Sequence, residues 1–314
     1  MNKQEKILII GVNGFSGRNI LEYVSLRNDM KAFGFDLADK STVLPTNYFS
    51  GDLSNYEQIE DVIKNIKPDF VVNAGGSYTH QYDIDYKNNV IATKNLLDSL
   101  VNNKLMKTTV LLVGTSGEYG FSEPGQTISE QHHLKPLGFY ALTKVFQDQL
   151  ALMYFQRYGI DIRIARTFNM IGPGMSEKLF IGRFFRSVKE YLNKKIDAIC
   201  LDNLESYRDY IDIRDVADVY FKILLKGQMG TIYNVGSGKA VKIRDIVDYT
   251  LLKLNIDTDV LVLDSQPTKV EVSYQVANIG KIETELMWTP RYCWQESVDY
   301  IIDKYVLKGF PDSA

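Results

Sequence analysis

A tyrosine and a lysine four positions apart, Tyr140 and Lys144, are the pair in this 314-residue chain whose spacing could do chemistry. On a helix they share one face. An ammonium beside a phenol favours the phenolate and lowers its pKa from about 10. Such a tyrosine can exchange a proton with a sugar hydroxyl or carbonyl near neutral pH. Thr115, upstream, offers a hydroxyl to the same oxygen. The spacing alone is weak, because Tyr191/Lys195, Tyr249/Lys253 and Tyr300/Lys304 repeat it. Tyr140 differs in its place. It follows an all-apolar strand at 109–113, closed by Gly114, with Thr115 just beyond.

A second group of residues could hold a dinucleotide. Ile7-Leu8-Ile9-Ile10 reads as a strand buried on both faces, and Gly11, Gly14 and Gly17 follow it. Gly11 allows a sharp turn, Gly14 makes room for a phosphate, and Gly17 lets the next helix approach the sheet. That helix begins near Phe15 and Ser16, and its free N–H groups would face a pyrophosphate. Asp36 ends the next strand, about 20 residues past the glycines, where a carboxylate takes both adenosine ribose hydroxyls. It would repel a 2′-phosphate, so the expected cofactor is NAD, with NADH preferred over NADPH.

The elements that must position these groups alternate. Strands are expected at 31–36, 69–74, 109–113 and 161–165, and helices at 56–66, 86–100 and Phe139–Tyr158, with 50–53 as a turn. This is the α/β pattern of a doubly wound Rossmann sheet, parallel throughout. Past residue 168 the pattern loosens. Helices are expected at 179–192, 215–224 and 243–254, strands at Thr231–Val235 and 260–263, and a polar loop at 202–208. Residues 1–168 therefore read mainly as the nucleotide-binding domain. Residues 169–314 read mainly as a smaller C-terminal substrate-binding lobe, with about 210–235 returning to the first domain.

Composition narrows the class. A net charge of −3 gives no basic footprint for nucleic acid. No apolar run could span a membrane, and the N-terminus has no apolar signal core, so a cytoplasmic protein is expected. Cys200 and Cys293 are far apart and read as free thiols in a reducing compartment. His80, His132 and His133 have no metal-ligand spacing, and no metal is expected.

Taken together, Gly11, Gly14, Gly17, Thr115, Tyr140 and Lys144 resemble the extended short-chain dehydrogenase/reductases that act on nucleotide-sugars, nearly end to end. The second half resembles most the GDP-4-keto-6-deoxy-D-mannose reductase branch. The shared phrases are Arg166-Thr167-Phe168-Asn169, Asn203-Leu204-Glu205-Ser206-Tyr207-Arg208-Asp209 and Tyr233-Asn234-Val235-Gly236. The resemblance implies that Thr115, Tyr140 and Lys144 are catalytic. It implies cofactor contacts from Asp52, Leu53, Ala74, Gly75, Asn89, Tyr140 and Lys144, with Lys144 also holding the nicotinamide ribose. It implies substrate contacts from Ser116, Glu118, Asn169, Arg183 and Arg208, with Arg208 on the diphosphate. It also implies a homodimer built on the helices at 86–100 and Phe139–Tyr158. Related 4,6-dehydratases carry acids just after the threonine, where this chain has Ser116 and Gly117. Met170 stands where the reductase motif usually has histidine.

Three functions follow. The first is NAD(P)H-dependent reduction at C4 of a nucleotide-linked 4-keto-6-deoxy sugar, with GDP-4-keto-6-deoxy-mannose foremost. The second is an NAD-dependent C4 epimerase, or a C4 dehydrogenase running the same step backwards. The third is a non-catalytic NAD-binding sensor, which the retained Thr115, Tyr140 and Lys144 argue against.

Overall fold

The computed structural model describes residues 4–263 and 273–307. Strands β1 (Glu5–Ile10) and β2 (Met30–Asp36) flank helix α1 (Phe15–Ser25), and β3 (Tyr48–Ser50) adds at the edge. Helix α2 (Tyr56–Ile66) leads to β4 (Phe70–Asn73). Helices α3 (Tyr82–Tyr86) and α4 (Ala92–Asn102), joined through a wider turn at Lys87–Ile91, lead to β5 (Thr109–Thr115). Helix α5 (Phe139–Tyr158) leads to β6 (Ile162–Thr167).

Two signals fix α2. Apolar Ile59, Val62, Ile63 and Ile66 form its buried stripe, and the Asn55 side chain caps it by accepting from the Glu57 and Gln58 N–H groups. The strands are continuous apolar runs because both faces of the sheet are covered. Ile7, Leu8, Ile9, Val71, Val110, Leu111 and Leu112 are all fully buried.

The chain then builds β7 (Asn169–Ile171), α6 (Phe180–Leu192), β8 (Ile199–Leu201), β9 (Tyr207–Arg208) and β10 (Tyr210–Asp212). Helix α7 (Ile213–Lys226) and β11 (Thr231–Val235) follow, then β12 (Val241–Lys242) and α8 (Ile243–Lys253). Strands β13 (Leu261–Leu263) and β14 (Tyr274–Gln275) and helices α9 (Gly280–Leu286) and α10 (Trp294–Ile301) complete the described chain.

The main sheet has seven strands in the order β11-β6-β5-β4-β1-β2-β3, and every neighbouring pair is parallel. The order reverses between β1 and β4. Ligands of such sheets bind at that switch point, beyond the carboxyl ends of the strands. Helices α1 and α7 pack on one face through Ile20, Val24, Val216, Tyr220 and Leu224, and α2, α4 and α5 cover the other. A separate apolar cluster joins α6, α8 and α10 through Phe184, Phe185, Ile246, Val247, Val298 and Ile301. Residues α7 and β11 return to the main sheet, as do Ile282, Leu286 and Trp288. No helix among the described residues is long and apolar enough to cross a membrane.

Four local readings change. Residues 48–50 form a strand where only a turn at 50–53 was expected, because three residues on an edge carry too little pattern. The helix expected at 86–100 starts earlier and passes through the wider turn. Strand β5 runs on through Gly114 to Thr115. Tyr207 and Arg208 form a strand inside the expected polar loop.

Candidate active site

At the end of β1, Gly11 turns with φ +76°, and a Cβ there would lie 2.9 Å from the Gly75 nitrogen. A Cβ on Gly17 would overlap the Gly11 carbonyl oxygen, so only glycine lets α1 start this close to the strand. Gly14 caps α1, and Phe15 and Ser16 form its first turn. The half-buried helix start, the glycine cradle and Gly75 on β4's extension fit a dinucleotide phosphate.

Asp36 ends β2 beside that cradle. Its Oδ1 accepts the Leu37 N–H at 2.8 Å, and its Oδ2 accepts the Asn13 N–H at 2.9 Å. The carboxylate thus also clamps the glycine turn. Asp52 accepts from Ser54 and pairs with Lys87 at 3.3 Å, and the Leu53 carbonyl accepts from Asn95. Ala74 continues β4, its N–H donating to Ile10 at 3.1 Å.

The chemical groups meet between β5 and α5. Tyr140, at the start of α5, lies beside Thr115 at the end of β5. Lys144, buried one turn further along, donates its ammonium to the Val113 carbonyl oxygen at 2.6 Å and to Gln147 Oε1 at 2.8 Å. The expected lowering of the phenol by that ammonium is not what the geometry gives. Burial pushes the Tyr140 pKa upward, the nearby Glu118 carboxyl adds to this, and the Thr115 hydrogen bond opposes it. Burial pushes the Lys144 amine down to about 8, against the pull of Asp148 and Glu118.

Three expected ligand contacts are buried and bonded within the protein. Glu118 is 0% exposed, with Oε1 accepting the Thr115 N–H at 2.9 Å and Oε2 2.8 Å from Arg166 Nε. Its carboxyl faces inward because the short turn after β5 wraps it back over its own start. Ser116 is buried, and its hydroxyl donates to Gln275 at 3.1 Å. Asn89 is buried and donates to Ser77 O at 3.2 Å and Thr143 Oγ1 at 3.0 Å. It ties the segment after β4 to α5.

Asn169, on β7, donates to the Asp209 carbonyl at 3.3 Å. Met170 beside it accepts from the Ser16 hydroxyl at 3.5 Å, which brings the glycine turn against the second half of the chain. Arg208 lies over the Phe121 ring at 4.9 Å and donates to Tyr207 O, Ser273 O and Ser273 Oγ. Arg183 is exposed and pairs with Asp202 at 3.6 Å, on a groove of about 340 Å³ with Phe180, Arg186 and Cys200. No hydrogen bond or ion pair joins it to the other candidates among the described residues. Cys200 and Cys293 are free and exposed.

Sequence reasoning missed Tyr78, whose ring stands edge-on to Tyr140 at 4.9 Å. It lies in an irregular segment, where no periodic signal exists. Asp148 was also missed, although it sits four residues past Lys144 and holds Arg166 Nε at 2.9 Å. That helical spacing was its available signal.

Comparison with known proteins agrees with this arrangement. The sequence profile of the NAD dependent epimerase/dehydratase family matches residues 7–236. A GDP-6-deoxy-D-talose 4-dehydrogenase of Aggregatibacter actinomycetemcomitans is 30% identical over 236 residues, covering 74% of each chain. A GDP-6-deoxy-D-mannose reductase of Pseudomonas aeruginosa is 23% identical over 309 residues, covering 96% of this chain and 97% of its own. The structure of RMD from Pseudomonas aeruginosa, complexed with NADPH, superimposes with a TM-score of 0.84 at 21% identity, covering 96% of this chain and 98% of that one.

Proposed function

The chain belongs to the NAD dependent epimerase/dehydratase family of extended short-chain dehydrogenase/reductases, and we propose that it reduces C4 of a nucleotide-linked 4-keto-6-deoxy sugar, with the GDP-4-keto-6-deoxy-mannose type foremost. One observation carries the reading. Thr115 at the carboxyl end of β5 and Tyr140 at the start of α5 lie beside each other, and the buried Lys144 ties those two elements together. Two neighbouring hydroxyls suit a single sugar oxygen.

In this mechanism Tyr140 gives its proton to the oxygen forming at C4, and Thr115 donates a hydrogen bond to the same oxygen. Lys144 supplies positive charge as Tyr140 loses its proton. The glycine cradle and Asp36 would hold a nicotinamide cofactor, which would supply the hydride when bound. The raised pKa keeps the phenol protonated at rest, so the Lys144 charge is needed to stabilise the phenolate as the proton leaves. Asn169 and Arg208 orient the sugar and diphosphate, and Arg208's planar fork of donors matches phosphate oxygens.

Likeness to the GDP-6-deoxy-D-talose 4-dehydrogenase favours a second reading at the same site, oxidation at C4. It reverses each step, with Tyr140 taking the proton. Elimination of water is disfavoured, since Ser116 is tied to Gln275 and Gly117 has no side chain.

The test is absorbance at the reduced-nicotinamide band after mixing protein, NADH and freshly made GDP-4-keto-6-deoxy-mannose, with NADPH alongside. Stoichiometric loss is expected, faster with NADH. No loss, together with NAD carried through purification, would overturn the reductase in favour of an epimerase or dehydrogenase.

A further inference from the structure

The segment between β4 and α3 is irregular, yet it is tightly held. Ser77 exchanges two backbone hydrogen bonds with the Asn89 amide, at 3.0 and 3.2 Å. The Ser77 hydroxyl, the Thr79 N–H and the Thr79 hydroxyl all donate to Asp85 Oδ1, at 2.9, 3.0 and 2.9 Å. Asp85 and Asn89 are both buried, so water does not compete for these bonds. The segment also holds His80 at φ +61°, which side-chain-bearing residues rarely adopt.

This restraint places one ring. Tyr78 stands over Tyr140 at 4.9 Å with an interplanar angle of 89°, and the His80 ring backs it at 4.5 Å. Such edge-to-face pairs are attractive and fix ring orientation. Tyr78 nevertheless keeps 37% of its surface exposed. A part-exposed ring packed on the Tyr140 ring, in a segment anchored on both sides, is available to line the site.

We propose that Tyr78 is a specificity-determining residue of the sugar subsite, an aromatic wall that holds the C4 end of the sugar in one orientation. This rests on the nucleotide-sugar reading above. The ring bars the sugar from turning over beside Tyr140, so hydride is exchanged at one face of C4 and one C4 epimer results. The occupant is a hexopyranosyl group, whose C–H face packs on the ring.

The test uses the full chain saturated with NAD, titrated calorimetrically with GDP and separately with GDP-mannose. Tyr78→Ala is compared with Tyr78→Phe and the parent chain, with thermal melting as the check on folding. In Tyr78→Ala, GDP-mannose binding weakens about tenfold while GDP is unchanged, and Tyr78→Phe stays within about threefold. With a 4-keto-6-deoxy substrate and NADH, the parent gives one C4 epimer by NMR and Tyr78→Ala gives both. Parent-like affinity for GDP-mannose and a single epimer in Tyr78→Ala would overturn the proposal. A parent chain that consumes no NADH, yet loses the mannose contribution in Tyr78→Ala, would overturn the reductase and leave Tyr78 in its place.

Discussion

The Lys144 ammonium lies 2.6 Å from the carbonyl oxygen of Val113, two residues before Thr115. It makes no hydrogen bond to Tyr140 among the described residues. The lysine thus bolts α5 to β5, the two elements that carry Tyr140 and Thr115. It sets their spacing as well as supplying charge.

That burial has a pH consequence. The Lys144 amine sits at about 8. Its charged form is complete well below that value and is lost as pH rises through it. C4 reduction is expected to be flat from about pH 6 to 7 and to fall tenfold per unit above about 8. Initial rates at saturating NADH, with cofactor affinity measured at each pH, check this. A rate that stays level to pH 9.5 would show that Lys144 acts through position alone.

Tyr140→Phe removes the acid and leaves the ring against Tyr78. General acid catalysis contributes about 10²- to 10⁴-fold, so turnover should fall by that range. Cofactor affinity, read by fluorescence quenching, should stay within about threefold. An unchanged rate would mean that another group moves the proton. A parent chain without turnover on any nucleotide-sugar would favour the sensor.

Much of this was legible because the sheet is buried on both faces. Ile7 to Ile9 and Val110 to Leu112 could be nothing but core strands. The Tyr140/Lys144 pair needed only a helix and a preceding strand to stand out from its three repeats. Glu118 shows the limit. Three residues past Thr115 in sequence, it reads as a cleft residue, yet the turn points it inward to Arg166. Arg166 needs buried anions, and its two partners come from segments far apart in the chain. Side-chain direction in a turn, and partners chosen across the fold, leave no local trace. Helices α9 and α10 were unread for a related reason, since seven and eight residues give at most two turns of pattern.

The Glu118 and Asp148 carboxylates converge on one guanidinium nitrogen, at 2.8 and 2.9 Å from Arg166 Nε. Two carboxylates so close cannot both ionise freely, and burial with Asp148's charge pushes the Glu118 carboxyl well up. Arg166→Met leaves both acids buried without their cation. The loss should be about 3 to 5 kcal/mol in denaturant unfolding. Glu118→Gln keeps an acceptor for the Thr115 N–H and should lose less than Glu118→Ala. Equal losses in the two Glu118 variants would mean that the Thr115 hydrogen bond contributes nothing.

Asp36 both clamps the glycine turn and would face the adenosine ribose. Asp36→Asn keeps an acceptor for Asn13 at the loss of the one for Leu37, while removing the charge that repels a 2′-phosphate. Two charges about 4 Å apart near a surface interact by about 4 kcal/mol or less. The ratio of kcat/KM for NADH over NADPH should therefore drop by about tenfold or more. A ratio that does not move would assign the preference to other residues of the cradle.

Along α5, Phe139, Phe146 and Met153 recur every seventh residue and are 51%, 38% and 41% exposed. Seven residues are two helical turns, so the three form one stripe. Tyr82 packs on Phe139 at 5.8 Å and Tyr86 on Phe146 at 6.5 Å, widening the stripe toward α3. An aromatic strip of this kind on a helix that already buries its other face against the sheet suits a second helix pair. We expect a homodimer across α3 to α5, with a sedimentation mass twice the 35.9 kDa of one chain at micromolar concentration. Phe146→Glu puts a charge in the middle of the strip and should shift the mass to that of one chain. Because Phe146 is part-exposed and packs on Tyr86, cofactor affinity should survive the change. A monomeric parent chain, or a dimer unaffected by Phe146→Glu, would place the interface elsewhere.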